Sequence, residues 1–349
     1  MAIFYPDNNN RGKRVEELAS DIQHLQEQTK QLVDETTEHD KKAAAYLNEV
    51  LKARSKTTLD EFIKKNEAVM DQEYLKELQH LAEEVKDLDD RVNLALKVGS
   101  GMFCLGVTLS LSATVLRMFL QRQFLVVGVR SLSLGVMRML GGEFEAGIKL
   151  VRAAGKMFSK FFRGGEEIVG KAATAFRVLK LFGKFLVIAG VVIDIVTFSI
   201  DLAEEKKQRS DLQAANRELC VSRFQVKKLQ MQTSITASHS SDARATLSTS
   251  ATLYEFVGQG LLTKEVVDNK VKDKLDEWIT KGMVIDGVKQ PSLDEQLKAI
   301  TDDAVYANLF KFDKDRDSWM YEDPNLSYIV TELEKKAKAE KEKAEKEGK

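Results

Sequence analysis

A single proline-free stretch covers most of the chain and restricts what it can fold into. The chain has 349 residues and three prolines, Pro6, Pro291 and Pro324, so residues 7–290 contain none. Proline breaks helices more strongly than any other residue. The stretch is instead rich in Ala, Leu, Lys, Glu and Gln, which are good helix formers. These features predict an all-α fold, an elongated bundle of long, coiled-coil-like helices.

An uncharged run interrupts this polar chain at residues 98–116. These nineteen residues, VGSGMFCLGVTLSLSATVL, carry no charge, although 31% of the whole chain is charged. Because a helix of about 20 residues crosses the hydrocarbon core of a bilayer, the run is long enough to span one. A second apolar block, residues 185–200, is interrupted only by Asp194. We therefore expect a central apolar, membrane-insertable helical segment between two helical arms.

The arms have the residue spacing of coiled-coil helices. Residues 14–54 repeat at alternating intervals of three and four, through Val15, Leu18, Ile22, Leu25, Thr29, Leu32, Thr36, His39, Ala43, Tyr46 and Val50. A returning arm over residues 204–236 has a similar seam. The Ser/Thr-rich segment that follows, residues 234–250, predicts a weak helix or a loop.

Shifts in composition divide the chain into five segments. The N-terminal helical arms occupy residues 1–97, and the apolar and basic membrane-active centre occupies residues 98–203. A returning helix with a Ser/Thr-rich connection covers residues 204–250. A small C-terminal helical module covers residues 251–330, and residues 331–349 form a charged, low-complexity tail.

Charge is distributed unevenly between these segments. Residues 91–184 contain fifteen Lys or Arg and four acids, a net charge of +11, although the whole chain carries only −1. A basic, apolar centre suits an anionic membrane surface, where each nearby Lys or Arg adds about 1 kcal/mol. The alternative is internal pairing of the basic centre with the acidic arms. The two arrangements can also alternate, in a soluble and a membrane-bound state.

Residues 144–163 predict a two-faced helix at a membrane interface. One side is basic, and we expect its residues to bind lipid headgroups: Lys149, Arg152, Lys156, Lys160 and Arg163. The other side is apolar, and we expect three aromatic residues to enter the interface: Phe158, Phe161 and Phe162. A basic face opposite an aromatic face is what an interfacial helix needs.

Large apolar residues of the two uncharged blocks are the predicted membrane-inserting residues. The first block supplies Val98, Met102, Phe103, Leu105, Val107, Leu109, Leu111, Val115 and Leu116. The second block supplies Phe185, Leu186, Val187, Ile188, Val191, Val192 and Ile193. Arg117, Arg122 and Arg130 are too costly to face acyl chains, so we expect them to snorkel or to line a pore. The alternatives are that the first block is a permanently buried core helix or a constitutive membrane anchor.

Catalytic and metal-binding motifs are incomplete in this sequence. GEEIVGK at residues 165–171 resembles a phosphate-binding loop, but Ala172 stands where a Ser or Thr is required. Residues 313–317 begin like a calcium loop, but Ser318 stands where that loop needs glycine. The four histidines are dispersed and have no metal-ligand spacing. We therefore expect no enzyme activity, no cofactor, no metal and no nucleic-acid partner.

The order of long helical arm, apolar segment, basic amphipathic segment and returning helix resembles the α-helical pore-forming toxins of the cytolysin A and tripartite-enterotoxin type. The matching stretch is residues 15–236, with residues 98–129 and 185–200 in the position of the membrane head. The resemblance implies a pore-forming protein that is soluble before insertion and forms homo-oligomers on a bilayer, which the basic centre suggests is anionic. It also leaves room for a second protein component.

Two alternatives accompany this resemblance. The segment HLAEEVKDLDDRVNLALKVGSGMFCLG, residues 80–106, is also similar to apolipoprotein L proteins, which implies membrane binding or remodelling. The other alternative is a soluble coiled-coil interaction protein whose apolar segments are its core. The N-terminal residues contain no apolar signal-peptide region, so we expect no cleaved signal. The expected location is the producing cell, or release by another route, and then a target membrane.

Overall fold

The structure is a computed structural model that describes residues 6–66, 89–140, 142–163, 205–282, 284–285, 287–289 and 291–335. Within these residues the fold is helical apart from one short β-hairpin. The predicted all-α class is therefore confirmed.

The first half of the chain contains five helices in the described residues. They are α1 (Asn8–Ser55), α2 (Leu59–Asn66), α3 (Asp90–Thr108), α4 (Ala113–Leu140) and α5 (Phe144–Arg163).

The second half begins with the longest described helix. Its helices are α6 (Glu205–Gly258), α7 (Lys264–Lys281), α8 (Leu293–Ala299), α9 (Asp302–Asp315) and α10 (326–335). Between α7 and α8, strands β1 (Val284–Ile285) and β2 (Val288–Lys289) pair antiparallel, with Ile285 opposite Val288.

The two longest helices, α1 and α6, run parallel and pack along their length. Asp21 of α1 contacts Arg223 of α6 at 2.9 Å. Further along, Arg130 binds both Asp40 of α1 and Ser240 of α6. At both levels the residue number on α6 exceeds the residue number on α1 by about 200, so the two helices run in the same direction. The seam residues Leu18, Ile22 and Leu25 are buried against α6, as their spacing predicts.

The Ser/Thr-rich residues 234–250 form the middle of α6, which corrects the prediction of a weak helix or loop. Their hydroxyls bond to carbonyl oxygens of the same helix. Thr236 Oγ1 donates to the Thr233 carbonyl at 2.9 Å, and Ser250 Oγ donates to the Thr246 carbonyl at 2.8 Å. Because these hydroxyls are satisfied within the helix, the small side chains can be buried against neighbouring helices without unpaired donors.

The uncharged run at residues 98–116 forms two helices and a turn. Helix α3 ends at Thr108, Ser110 has a left-handed φ of +59°, and α4 begins at Ala113. The Leu111 N–H donates to the Gly106 carbonyl at 3.0 Å and closes the turn. In this form of the protein the run is therefore not the single helix that its length predicts. None of the helices in the described residues is both long enough and apolar enough to cross a membrane.

Helices α4 and α5 form a tightly packed antiparallel hairpin. A Cβ on Gly135 would lie 2.8 Å from the Gly147 carbonyl oxygen, and one on Gly147 would lie 2.7 Å from that of Gly135. A Cβ on Gly128 would lie 2.7 Å from Cε1 of Phe158. Because these positions leave no room for a side chain, the glycines set the close spacing of the two helices.

Residues 291–335, which we call the strap, run back along α6 towards the start of α1. Asp302 of the strap pairs with Lys228, and Asp313 pairs with Arg223. Partner numbers on α6 fall as strap numbers rise, so the strap is antiparallel to α6. Its inner side also buries a row of apolar residues: Leu293, Leu297, Ile300, Val305, Ile329 and Leu333.

Candidate functional site

The predicted membrane-inserting residues of the first apolar block lie in the core of the bundle. Seven are buried: Val98, Met102, Phe103, Leu105, Leu109, Leu111 and Val115. Two are half-buried against the same cluster: Val107 and Leu116. A Cβ on Gly101 would touch Leu47 of α1 and Leu59 of α2, so these two helices cover the middle of α3. The large apolar side chains of the block are thus covered, while Ser110 and residues 112–114 at the turn are exposed.

Several predicted site residues lie outside what the structure describes. The whole second block does so: Phe185, Leu186, Val187, Ile188, Val191, Val192 and Ile193. Residues 160–163 belong to α5, but the structure does not describe their side chains. This applies to four predicted site residues: Lys160, Phe161, Phe162 and Arg163. Their assigned roles remain predictions.

Helix α5 spans the residues that the sequence predicts, and its two faces are separated. Lys149, Arg152 and Lys156 are exposed, while Val151 and Phe158 are buried against α4. Phe158 contacts the helix surface at Gly128, so it does not face solvent in this form. The hairpin therefore presents a basic surface outward and keeps Phe158 inside.

Three arginines of α4 are paired with acids from elsewhere in the chain. Arg130 is buried and binds Asp40 of α1, and Arg122 is buried and binds Asp294 of the strap. Arg138 contacts Asp89 at 3.0 Å. The charge distribution allows two arrangements of the basic centre. The structure has the internal one, in which arginines of the centre pair with acids of the same chain.

Polar contacts fasten α4 to the arms at two neighbouring levels. Arg130 Nη2 donates to Ser240 Oγ at 3.2 Å. One turn further on, the hydroxyls of Ser133 and Thr233 are 2.8 Å apart. All four side chains are buried. Separating the hairpin from α6 would therefore break specific polar contacts as well as apolar packing.

A buried histidine lies where α6 meets α7 and α4. The rings of His239 and Trp278 are stacked with their centroids 4.7 Å apart. The ring of Phe119 on α4 packs on Trp278 with a centroid distance of 6.0 Å. Burial, together with a smaller contribution from the charge of Arg122, lowers the pKa of His239 to about 3. Three residues along α6, burial raises the pKa of Asp242 to about 6. Sequence spacing gave no sign of this cluster, because the histidine meets its neighbours only in the fold.

A second buried cluster joins the strap to the beginnings of the described parts of α1 and α6. Arg14 is fully buried and contacts Asp313 at 2.8 Å and also Asp323. Arg223 contacts Asp313 at 2.7 Å and Asp21 at 2.9 Å. Burial acts to raise the pKa of Asp313, but hydrogen bonds from Arg14 and Arg223 outweigh it and hold that pKa below its ordinary value.

The calcium-like motif at residues 313–317 belongs to this arginine cluster. Arg316 contacts Asp313 at 2.9 Å and Asp21 at 2.7 Å, so arginines surround the first acid of the motif. The described residues contain no group of His, Cys, Asp or Glu arranged to hold a metal ion. Here Asp313 serves as a partner for guanidinium groups.

Comparisons with known proteins give no relative for this chain. No protein-family model matches it, no curated protein is significantly similar in sequence, and no solved structure is significantly similar in fold. A functional assignment therefore depends on the chemistry of the chain itself.

Proposed function

We propose that this protein is a membrane-inserting, oligomerising α-helical pore-former and that the described bundle is its closed form. The observation that carries the proposal is the two-sided α4–α5 hairpin. It combines a buried apolar helix with an outward basic face made by Lys149, Arg152 and Lys156. Any surface helix of a bundle buries an apolar face, but the charged residues between positions 146 and 158 of α5 are all basic, which is the charge pattern of an interfacial helix.

Membrane contact begins at the basic face of α5. Lys149, Arg152 and Lys156 are exposed before any rearrangement, so they can meet anionic headgroups while the bundle is closed. Each basic residue near such a surface adds about 1 kcal/mol. Phe158 then turns from Gly128 of α4 towards the interface, where an aromatic ring is favourable.

Insertion exposes the apolar helices to lipid and gives the arginines of α4 new partners. Helices keep their backbone hydrogen bonds inside a bilayer, so α3 and α4 can enter without unpaired backbone groups. Arg122 and Arg130 leave Asp294 and Asp40 and take phosphate or pore water as partners. Because one hairpin encloses no channel, several copies must assemble, and the α1–α6 pair remains as a soluble arm.

The first test is dye release from vesicles with graded phosphatidylserine content. We expect dose-dependent release that rises with anionic lipid. The variant Lys149→Gln/Arg152→Gln/Lys156→Gln should bind these vesicles about tenfold to a hundredfold more weakly, because three favourable charges are lost. The control Lys30→Gln/Lys42→Gln/Lys52→Gln removes equal charge from exposed positions of α1 and should bind like the wild type.

A second variant separates binding from insertion. Leu109 is buried in the turn between α3 and α4, and Leu109→Asp places a charge in the segment proposed to enter the bilayer. We expect vesicle binding to persist while dye release is lost. Ser110→Asp places the same charge on the exposed neighbour, where it does not disturb the closed core, and should also lose release. Unchanged release would contradict insertion of this segment.

The same assay separates the remaining alternatives. Binding without release from any vesicle would indicate a membrane scaffold of the apolipoprotein L-like kind or one subunit of a multi-component toxin. Neither binding nor release would indicate an interaction protein whose residues 98–140 are a permanent core.

A further inference from the structure

The strap is attached to the α1–α6 pair by a line of ion pairs. Glu322 of the strap pairs with Arg11 of α1 at 2.6 Å, and Asp302 pairs with Lys228 of α6 at 2.6 Å. Between them lies Asp313, which pairs with Arg223 of α6. The strap thus places acids along a line of cations contributed by both long helices.

Four cations form this line, and the strap keeps them from solvent. We call Arg11, Arg14, Arg223 and Lys228 the cationic stripe; each is at most 5% exposed. Burial lowers the pKa of Lys228, and the pairing with Asp302 offsets only part of that effect. A buried lysine in this situation gains from any arrangement that returns it to an anionic, hydrated surface.

The stripe has excess positive charge once the strap is removed. Glu17 and Asp21 are the bundle acids that contact these cations, and they stay beside Arg14 and Arg223. Four cations against two acids leave a net charge of +2 on this side of the arms. The strap adds four acids, Asp302, Asp313, Glu322 and Asp323, and one cation, Arg316, which pairs with Asp21 and Asp313.

We propose that the cationic stripe is a second binding surface for anionic lipid headgroups and that the strap occupies it in the closed form. This inference rests on the proposed function, since it concerns how the closed bundle opens at a membrane. Carboxylate and lipid phosphate are recognised by Arg and Lys through the same charge-assisted hydrogen bonds. Headgroups can therefore replace the strap acids one by one, beginning with the partly exposed Asp302 and Glu322.

Displacement of the strap also releases the hairpin. Asp294 lies in the strap and pairs with Arg122 of α4 at 2.5 Å. When the strap leaves, Arg122 loses its acid and one polar attachment of the hairpin is removed. Displacement of the strap therefore has two results: lipid headgroups bind the stripe, and α4 loses its attachment to Asp294.

The outer side of the strap suits a membrane interface. Phe310 is 49% exposed, Phe312 is 51% exposed and Tyr321 is 88% exposed. Aromatic side chains are favoured at the headgroup level of a bilayer. These residues give the displaced strap a place on the membrane and favour a bilayer over a water-soluble acidic partner.

The test weakens the strap without changing the stripe. Asp302→Asn/Glu322→Gln removes two strap acids that pair with it, and the matched control Asp303→Asn/Asp317→Asn removes two exposed acids of the same segment. Both variants change the net charge equally. We expect the first to bind phosphatidylcholine vesicles containing phosphatidylserine at least about threefold more tightly than the control, because two of the ion pairs that hold the strap on the stripe are removed.

Two additional measurements keep this result separate from pore formation. The gain in binding should persist when Lys149, Arg152 and Lys156 are all replaced by Gln, because the stripe is on a different surface. Hydrogen exchange of residues 302–323 in the wild type should quicken when phosphatidylserine vesicles are added and stay unchanged with phosphatidylcholine alone. The stripe is not a lipid surface if the two strap variants bind vesicles with equal affinity, or if the hydrogen-exchange rate of residues 302–323 does not change with anionic lipid. If the tighter binding and the faster exchange are observed but no dye is released, pore formation is contradicted and the stripe remains a lipid-binding surface.

Discussion

The α4–α5 hairpin and the α1–α6 pair are both two-helix units, but different chemistry holds each one together. In the hairpin, glycine faces glycine, and Phe158 packs into the space at Gly128. In the long pair, an apolar seam that includes Leu18, Ile22 and Leu219 is accompanied by ion pairs such as Asp21 with Arg223. Close packing at glycines joins the hairpin, whereas an apolar seam together with polar contacts at defined positions joins the pair.

This difference indicates which parts can separate. Helix α4 packs much more extensively on α5 than on α1 or α6. Its links to the long pair include specific polar contacts, from Arg130 to Asp40 and from Ser133 to Thr233. The hairpin can therefore leave the long pair if those contacts exchange partners, while Gly135 still faces Gly147 and Phe158 turns towards the interface.

The largest expected effect comes from breaking the link between the two units at Arg130. Arg130→Leu leaves Asp40 buried without its partner, which costs about 3–5 kcal/mol. We expect the free energy of unfolding, measured by urea titration, to fall by that amount. Arg130→Leu/Asp40→Leu should recover much of the loss. A cost below about 1 kcal/mol for the single variant would mean that this pair does not hold the hairpin.

A smaller effect should follow from disturbing the packing inside the hairpin. Gly135→Ala places a methyl group 2.8 Å from the Gly147 carbonyl and should lower the free energy of unfolding by about 1–3 kcal/mol. Gly155→Ala is the control, because its Cβ would have nothing within 4 Å. It should raise stability by up to about 1 kcal/mol through helix propensity. Equal effects at the two glycines would refute the close contact.

The smallest effect concerns the pH dependence of the junction between the two units. His239 has a lowered pKa, so between pH 6.5 and about 3 the unfolded chain binds more protons and stability falls with acid. Asp242 has a raised pKa of about 6 and acts in the opposite sense between its ordinary value and that pH. The two contributions largely compensate in the wild type.

Removing either group should reveal the other. Asp242→Asn should lose roughly 1–2 kcal/mol of stability between pH 6.5 and 5, and His239→Phe should gain stability over the same interval. Urea titrations at several pH values provide the measurement. Slopes of the same sign in both variants would contradict the assignment.

Local patterns in the sequence predicted local structure well. The seam through Leu18, Ile22 and Leu25 is buried, and the helix predicted over residues 144–163 has those bounds in the structure. Both depend on spacing within one helix. The continuous α6 was missed at residues 234–250, because the hydroxyls of a Ser/Thr-rich segment weaken helix propensity unless packing and intrahelical bonds compensate.

The contacts that define the candidate site could not be predicted from spacing. Arg130 meets Asp40 across 90 residues, and Arg122 meets Asp294 across 172. The sequence showed only that acids are missing near these arginines and abundant elsewhere. The turn at Ser110 was also missed, because no proline marks it and glycine is absent from residues 109–112.

Locking the hairpin to α6 tests the central claim most directly. The hydroxyls of Ser133 and Thr233 are 2.8 Å apart, so Ser133→Cys/Thr233→Cys brings two thiols close enough for a disulfide. Cys104 and Cys220 would be replaced by Ala in this variant. We expect the oxidised protein to bind phosphatidylserine vesicles through α5 without releasing dye, and reduction to restore release. Equal release by the oxidised and reduced forms would contradict departure of the hairpin from the α1–α6 pair.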